Sequence, residues 1–331
     1  MKQHRVLKMK SIKPSLINGS IKAPPSKSMT IRAAAAALLS PGNTKILLPS
    51  QCQDARTAFK VIQKLGAKVQ SFPKAVTVKG GLKFTKDSLQ CGESGLCMRL
   101  FTPVASLLSK KVILKGKGSL LNRPMDMMES PLTSLGAVCK TQNKLPPVKV
   151  QGPIRSGKVN VDGSMSSQFF SGLLMTLPIC KGNSQIKVLN LKSKPYILMT
   201  LKVLNDFGIK VNKDRDLKFF QIPGNQRYHR EEYSVEGDWS GASFLLVAGA
   251  ISGKVTVTGL NMKSSQADKQ ILKALKRAGA DIQIADDKVT VSHKKLNSFV
   301  FNATHCPDLI PALTVLSCFA PGLSRIEGAN R

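Results

Sequence analysis

Apolar positions along this chain of 331 residues form two kinds of helical stretch, separated by short runs in which every other residue is apolar. The first kind is amphipathic and ends at a glycine before a strand-like run: FKVIQKLGAKV, SPLTSLGAVCK, LKVLNDFGIKV and LKALKRAGADI. Their glycines, Gly66, Gly136, Gly208 and Gly279, are separated by 70, 72 and 71 residues. Each stands where a helix stops most easily on a residue that tolerates the left-handed conformation. The second kind is apolar nearly all round, which predicts burial on every side. Its five stretches are SKSMTIRAAAAALLS, SGLCMRLFTPVASLL, SSQFFSGLLMTLPIC, SGASFLLVAGAISG and PDLIPALTVLSCFA. Between the helices, AVTVKG, KVILKG, PPVKVQG, KVNVDG, KVTVTG and KVTVSH read as strands. The unit is therefore about 70 residues of two helices and several short strands, and the fold class is α/β (α+β). Buried helices that open with small polar residues bring free amide groups towards a common point, where they could hold anions.

The same period says something about the end of the chain. Five helices of the second kind and four of the first are present, and the last is followed only by CFAPGLSRIEGANR. The expectation is a fifth unit whose strand pairing is begun and not completed. Repeats of this kind close a shared core, so such a stop leaves apolar faces uncovered.

Length and an apolar fraction of 42% allow about two packed domains. No apolar run is long enough to span a bilayer, and the basic start MKQHRVLKMKSIKP lacks the apolar core of a secretory signal. Seven cysteines are scattered without a Cys-x-x-Cys pair, and there are only four histidines. The expectation is a reduced, cytoplasmic protein without a metal site. Charge changes the picture most: 50 basic residues face 19 acidic ones, a formal charge of +31. Such a surface attracts anions, either nucleic acid or small phosphorylated molecules. Lysines are spread through every segment and aromatic residues make up 5%, which disfavours a nucleic-acid groove with stacking platforms.

One placement is hard to explain structurally. Lys27 stands at the opening of a helix in APPSKSMTIR, with Arg32 just over one turn later. The first turn of a helix carries about half a positive charge, so a cation there is unfavourable unless an anion sits beside it. Other candidates have plain alternatives: Asp308 as an ordinary first-turn acid, Ser166 and Ser167 as helix caps, Arg123 as a turn arginine.

PPSKSMTIR, CGESGLCMR, LNRPM, VDGSMSSQF, SKPY, VEGDWSGAS and CPDLIPAL occur in this order, and together they resemble 5-enolpyruvylshikimate-3-phosphate (EPSP) synthases from about Asn18 to Gly328. The resemblance implies two domains of repeated βαβαββ units around buried helices. The first spans 24–236 with three units; the second combines 1–23 with 237–331 and lacks about its last one and a half units. It implies transfer of the enolpyruvyl group of phosphoenolpyruvate to the 5-hydroxyl of shikimate 3-phosphate, with release of phosphate. No metal or other cofactor is implied, nor a membrane or specific nucleic-acid partner, and the protein is expected to be a monomer.

By the same resemblance, Lys27, Gly95, Arg123 and Gln168 contact phosphoenolpyruvate. Lys27, Ser28, Arg32, Ser166, Ser167, Gln168, Ser193, Tyr196 and Asp308 contact shikimate 3-phosphate. Asp308 is the candidate general base for the hydroxyl, with Lys27 beside it. A side chain at position 95 would crowd the ligand.

The chain departs from the pattern at Glu93 and Leu96, where many members carry Asn and Thr. The family's Lys-Glu-x-x-Arg stretch is expected after Arg331, so Asn330 and Arg331 receive no role, and the chain on its own is expected to turn over slowly. Three alternatives remain at this level: an enzyme resembling UDP-N-acetylglucosamine enolpyruvyl transferase, an inactive anion-binding remnant, and a nucleic-acid binder that rests on charge alone.

Overall fold

The structure, a computed structural model, describes residues 11, 13–164 and 166–329. The chain opens with β1 (Ile17–Lys22), α1 (Lys27–Leu39), β2 (Asn43–Leu47), α2 (Gln53–Lys64), β3 (Lys68–Phe72) and β4 (Ala75–Lys79). A second unit follows as β5 (Ser88–Gln90), α3 (Gly95–Ala105), β6 (Val112–Lys115), α4 (Glu129–Ser134), β7 (Val138–Gln142) and β8 (Leu145–Gln151). The third is β9 (Lys158–Asp162), α5 (Ser167–Thr176), β10 (Ser184–Leu189), α6 (Lys194–Asp206), β11 (Asn212–Lys213) and β12 (Phe219–Ile222). Then come β13 (Glu232–Ser234), α7 (Trp239–Ser252), β14 (Gly253–Thr258), α8 (Ile271–Arg277), β15 (Asp281–Ile284) and β16 (Lys288–Ser292). The last elements are β17 (Val300–Asn302), α9 (Ile310–Cys318) and β18 (Arg325–Glu327).

Four sheets share one plan, in which two parallel strands are extended by two antiparallel ones, and in two of the sheets a buried helix, α3 or α5, joins the parallel pair. Their orders are β5-β6-β8-β7, β9-β10-β12-β11, β13-β2-β4-β3 and β1-β14-β16-β15. A helix between the two parallel strands is what that pairing requires, because a tight turn cannot reverse the chain and leave the strands parallel. Two sheets have exchanged their first strands: β13 runs beside β2, and β1 beside β14. β17 and β18 form the parallel pair of a fifth unit.

The exchange makes the chain cross twice at one place. Ser26 N–H donates to the Glu236 carbonyl, Asp238 N–H donates to the Pro24 carbonyl, and Pro25 bridges Gly237. A Cβ at Gly237 would lie 2.3 Å from the Gly259 carbonyl oxygen, so only glycine fits between the crossing segments. The apolar core falls into two clusters. One is drawn from residues between Met29 and Val235, the other from Ala23 and residues between Trp239 and Ala320. Tyr196 packs against both.

The four periodic glycines stop their helices in one way. Gly66, Gly136, Gly208 and Gly279 have φ of 112°, 84°, 78° and 82°. At each stop the residue after the glycine donates its N–H back to the carbonyl five positions earlier, as Ala67 does to Ile62 and Ala280 to Leu275, closing the helix in a Schellman turn.

The helices predicted to be buried on every side divide into two groups. α1, α3 and α5 are almost wholly enclosed. In α9 only Ala312, Leu313 and Leu316 are buried, and α7 leaves Phe244 48% exposed. Phe244, Val315 and Phe319 line one shallow apolar groove with Ile17. The expectation of all-round burial thus fails for α7 and α9, whose outer faces have no covering element among the described residues.

Candidate active site

The first turn of α1 is built without an acidic residue. Ser26 caps it, accepting from Met29 N–H at 3.4 Å, and the Lys27 N–H donates to Asp238 Oδ2 at 3.0 Å. The other oxygen of Asp238 caps α7 by accepting from Gly241 N–H at 3.1 Å. One carboxylate therefore satisfies the amino ends of two helices, one from each apolar cluster, at the chain crossing. Gln266 ties the same point, donating to Glu236 Oε1 and the Gly237 carbonyl and accepting from Trp239 N–H.

Beside this crossing lies a cleft of about 510 Å³. Its first wall is made by helix openings: Lys27, Ser28 and Arg32 from α1; Gly95 and Leu96 from α3; Ser166, Ser167 and Gln168 from α5 and its cap. Ser193 and Tyr196 come from the start of α6, and Arg123 from the turn after a short 3-10 helix. Pro307 and Asp308 face them from the turn before α9. Every residue singled out in the sequence lines this one cleft. The opening of α7 does not; there Asp238 accepts from Gly241 N–H and Gln266 from Trp239 N–H.

Two of the cations in the cleft, Arg32 and Arg99, are withdrawn from water without a counter-charge. Arg32 is fully buried, and its guanidinium donates only to neutral oxygens: Thr200 Oγ1 at 2.8 Å, the Ser28 carbonyl at 3.0 Å and the Tyr196 carbonyl at 3.2 Å. Burial lowers its pKa to about 10, so it remains charged at neutral pH. Arg99, one turn after Gly95, donates to Gln168 Oε1 at 3.1 Å and to the Pro124 carbonyl at 2.9 Å. Burial, together with the like charge of Arg123, also holds it at about 10, and its Nε is buried without a partner. Among the described residues no salt bridge reaches Arg32, Arg99 or Arg123. Uncompensated guanidinium groups in a low-dielectric cleft are costly unless an anion arrives.

Lys27 differs. Burial pulls its pKa down, but Asp54, Asp308 and Cys52 outweigh that and leave it above the ordinary value. Its Nζ stands 3.5 Å from Asp54 Oδ2. A Cβ at Gly95 would come within 3.2 Å of Arg123 Nη1, 3.5 Å of Gln168 Oε1 and 3.6 Å of Arg99 Nη1, so the bare backbone keeps room among three polar groups. Ser193 adopts φ 54°, a left-handed conformation that turns the chain into α6. The departure at Glu93 has a structural part: its carboxylate accepts from Ser119 N–H at 3.1 Å and from Ser119 Oγ at 3.2 Å. It thereby ties the GES loop to the segment carrying Arg123, and the two Ser119 bonds lower its pKa. Leu96 is buried at the start of α3.

A model of the EPSP synthase (3-phosphoshikimate 1-carboxyvinyltransferase) family matches residues 12–331. The chain belongs to the EPSP synthase family. Among curated relatives, the 3-phosphoshikimate 1-carboxyvinyltransferase of Clostridium novyi is 34% identical over 98% of this chain and 77% of its own length. That of Methanococcus maripaludis is 35% identical over 94% of this chain and 75% of its own length. An EPSP synthase structure from Acinetobacter baumannii superposes with a TM-score of 0.76 at 22% identity, covering 95% of this chain and 74% of that one. The enolpyruvyl transferase NikO from Streptomyces tendae superposes at 0.75 and 15% identity, covering 94% and 75%. These two likenesses show the shared fold.

Within this EPSP synthase fold, three charged cleft residues had no site role in the sequence: Asp54, Glu93 and Arg99. Arg99 carried a usable signal, since it follows Gly95 by four positions and so shares its helix face. Asp54 is an ordinary first-turn acid of α2 and gave none. Residues 1–10, Asn330 and Arg331 lie outside the described residues. Among the described residues no helix is long and apolar enough to cross a membrane.

Proposed function

We propose that this chain transfers the enolpyruvyl group of phosphoenolpyruvate to the 5-hydroxyl of shikimate 3-phosphate and releases phosphate. The observation that carries the reading is the composition of the cleft: Lys27, Arg32, Arg99 and Arg123 converge there, and although Asp54 pairs with Lys27 and Glu93 is held by Ser119, the three arginines have no salt bridge and face the carboxylate of Asp308. Two multiply charged substrates supply the missing counter-ions. Burying them together demands charge-assisted hydrogen bonds from fixed donors, and Arg32, Ser166, Ser167 and Ser193 are read as those donors for shikimate 3-phosphate, with Ser28 and Tyr196 beside them. Arg123, Gln168 and the open backbone at Gly95 are read as the phosphoenolpyruvate side, to which we add Arg99.

Asp308 accepts the proton of the 5-hydroxyl as its oxygen attacks C2 of phosphoenolpyruvate. Lys27, close enough to Asp308 for their charges to interact, stabilises charge developing between the two substrates. The methylene carbon gains a proton in this addition. Loss of phosphate and of one methyl proton from the adduct then restores the double bond, so protons balance overall. The absence of disulfides among the seven free cysteines supports a reducing, cytoplasmic setting, and we take the working unit to be a monomer.

The test measures shikimate 3-phosphate binding by calorimetry and, with the same full chain, phosphate release from phosphoenolpyruvate. Binding that weakens strongly in Arg32→Met, with release that requires shikimate 3-phosphate, is expected. Failure of the unaltered chain to bind shikimate 3-phosphate, or release of phosphate without it, would overturn the reading.

A further inference from the structure

Behind the wall of the cleft a second carboxyl group is buried. Asp268 lies in the 3-10 turn between β14 and α8 and is 2% exposed. One of its oxygens, Oδ2, accepts from the Ser240 hydroxyl at the start of α7. The other, Oδ1, is buried without a hydrogen-bond partner, and so is the Tyr196 hydroxyl, which belongs to the cleft wall. Asp268 and Asp308 both act electrostatically on the Tyr196 phenol.

The charges around Asp268 leave it little choice of state. From α7 it faces Asp238, from the turn before α9 Asp308 and the thiol of Cys306, and from α6 the phenol of Tyr196. The neighbouring Lys269 is turned away, donating to the Met262 and Ser264 carbonyls. No described salt bridge reaches Asp268. A buried ionised carboxylate with one oxygen unpaired and two carboxylates nearby is strongly disfavoured, whereas a neutral carboxyl needs only an acceptor for its proton. The Tyr196 hydroxyl, itself unpartnered and near enough to interact with Asp268, is the candidate acceptor.

We propose that Asp268 is a positioning residue for Asp308: protonated on Oδ1, it donates to Tyr196 Oη, which directs the Tyr196 O–H onto Asp308 and keeps that carboxylate ionised and oriented. The inference rests on the reading of Asp308 and Tyr196 given above. Burial, reinforced by Asp308, raises the Asp268 pKa to about 7, and burial likewise raises that of Tyr196, so the phenol stays a neutral donor. When Asp268 loses its proton, two carboxylates compete for one phenolic hydrogen and the cleft gains a negative charge. Affinity for an anionic substrate then falls as pH rises through neutrality.

The experiment compares shikimate 3-phosphate affinity at about pH 6 and about pH 8, on either side of the Asp268 pKa, in the unaltered chain, Asp268→Asn and Tyr196→Phe. The ligand's own phosphate titrates equally in all three. An asparagine Nδ2–H can donate to Tyr196 at every pH, so the ratio of the two affinities is expected to shift several-fold less in Asp268→Asn than in the unaltered chain. Tyr196→Phe, which breaks the chain of bonds, is expected to lose the same component. Carbon-13 titration of aspartate carboxyls in the unaltered chain is independent of any variant's folding, and one carboxyl titrating near neutrality is expected. Equal pH ratios in the unaltered chain and Asp268→Asn, or no carboxyl titrating above the ordinary range, would overturn the proposal. Absence of binding by the unaltered chain at both pH values would instead overturn the functional reading beneath it.

Discussion

Helices α1 and α7 are the same element used twice, and they have met different fates. Each opens on a capping side chain, Ser26 or Asp238, and each leads into the second strand of its sheet, β2 or β14, while the first strand of that sheet comes from the other half of the chain. Six positions after the cap stands Arg32 in one and Phe244 in the other. Arg32 is fully enclosed by α6 and the cleft wall, while Phe244 is 48% exposed. An apolar pattern all round a helix states what the helix is suited to, and the neighbours decide whether that is realised. The two walls of the cleft differ in the same way. The first half brings Lys27, Arg32, Arg99 and Arg123, with Asp54 beside Lys27 and Glu93 held by Ser119; the second brings Asp308, with Asp268 and Asp238 behind it. The repeated unit thus presents an excess of cations on one side and a carboxylate without a cation on the other, which suits a reaction in which anions are held and a hydroxyl is deprotonated.

The contrast can be broken most severely at Arg32. Arg32→Met removes a buried charge whose proposed partner is the ligand, and should weaken shikimate 3-phosphate by about 3–5 kcal/mol, roughly 100-fold or more by calorimetry. The carboxylate side can be tested through stability. The Asp268 pKa is raised in the folded state, so the folded protein holds a proton that the unfolded chain releases above about pH 4. Stability should therefore decline as pH rises from about 4 to about 7 and level off above, by about 3–4 kcal/mol. Asp268→Asn should lack that slope in urea denaturation at several pH values.

Packing between the enclosed helices is the next lever. Gly172 in α5 meets α3 so closely that a Cβ would lie 2.6 Å from the Leu100 carbonyl oxygen. Gly172→Ala should cost about 1–3 kcal/mol, read as a lower denaturation midpoint. At the opposite extreme, Phe244→Ser on the open face of α7 should change stability by no more than about 0.5 kcal/mol and leave shikimate 3-phosphate binding unaltered. A large loss there would show that the outer face of α7 is covered after all.

Local rules made much of this molecule readable. Four glycines at a near-constant spacing marked four helix ends, and each is a positive-φ stop with the same backbone bonds. Six alternating runs marked six strands, because side chains alternate between faces whatever surrounds them. Lys27 was conspicuous because it violates the helix-dipole preference, and such violations point to a site. Asp268 gave no comparable signal. An aspartate in SSQAD reads as a turn residue, and only the approach of α6, α7 and the turn before α9 removes it from water.

The sequence by itself determined the period, the helix stops, the strands and the small polar openings of the buried helices, since these depend on dihedral preferences and hydrophobic spacing within a few residues. The tertiary structure alone decided the residue-level pairing by which β1 and β13 exchange sheets, the use of Asp238 to cap two helices, and the exposure of α7 and α9 against the enclosure of α1. Those outcomes depend on which surfaces meet across more than 200 residues of chain, as Lys27 and Asp238 do. Burial and charge pairing at such distances are properties of the assembled fold, so no local pattern could carry them.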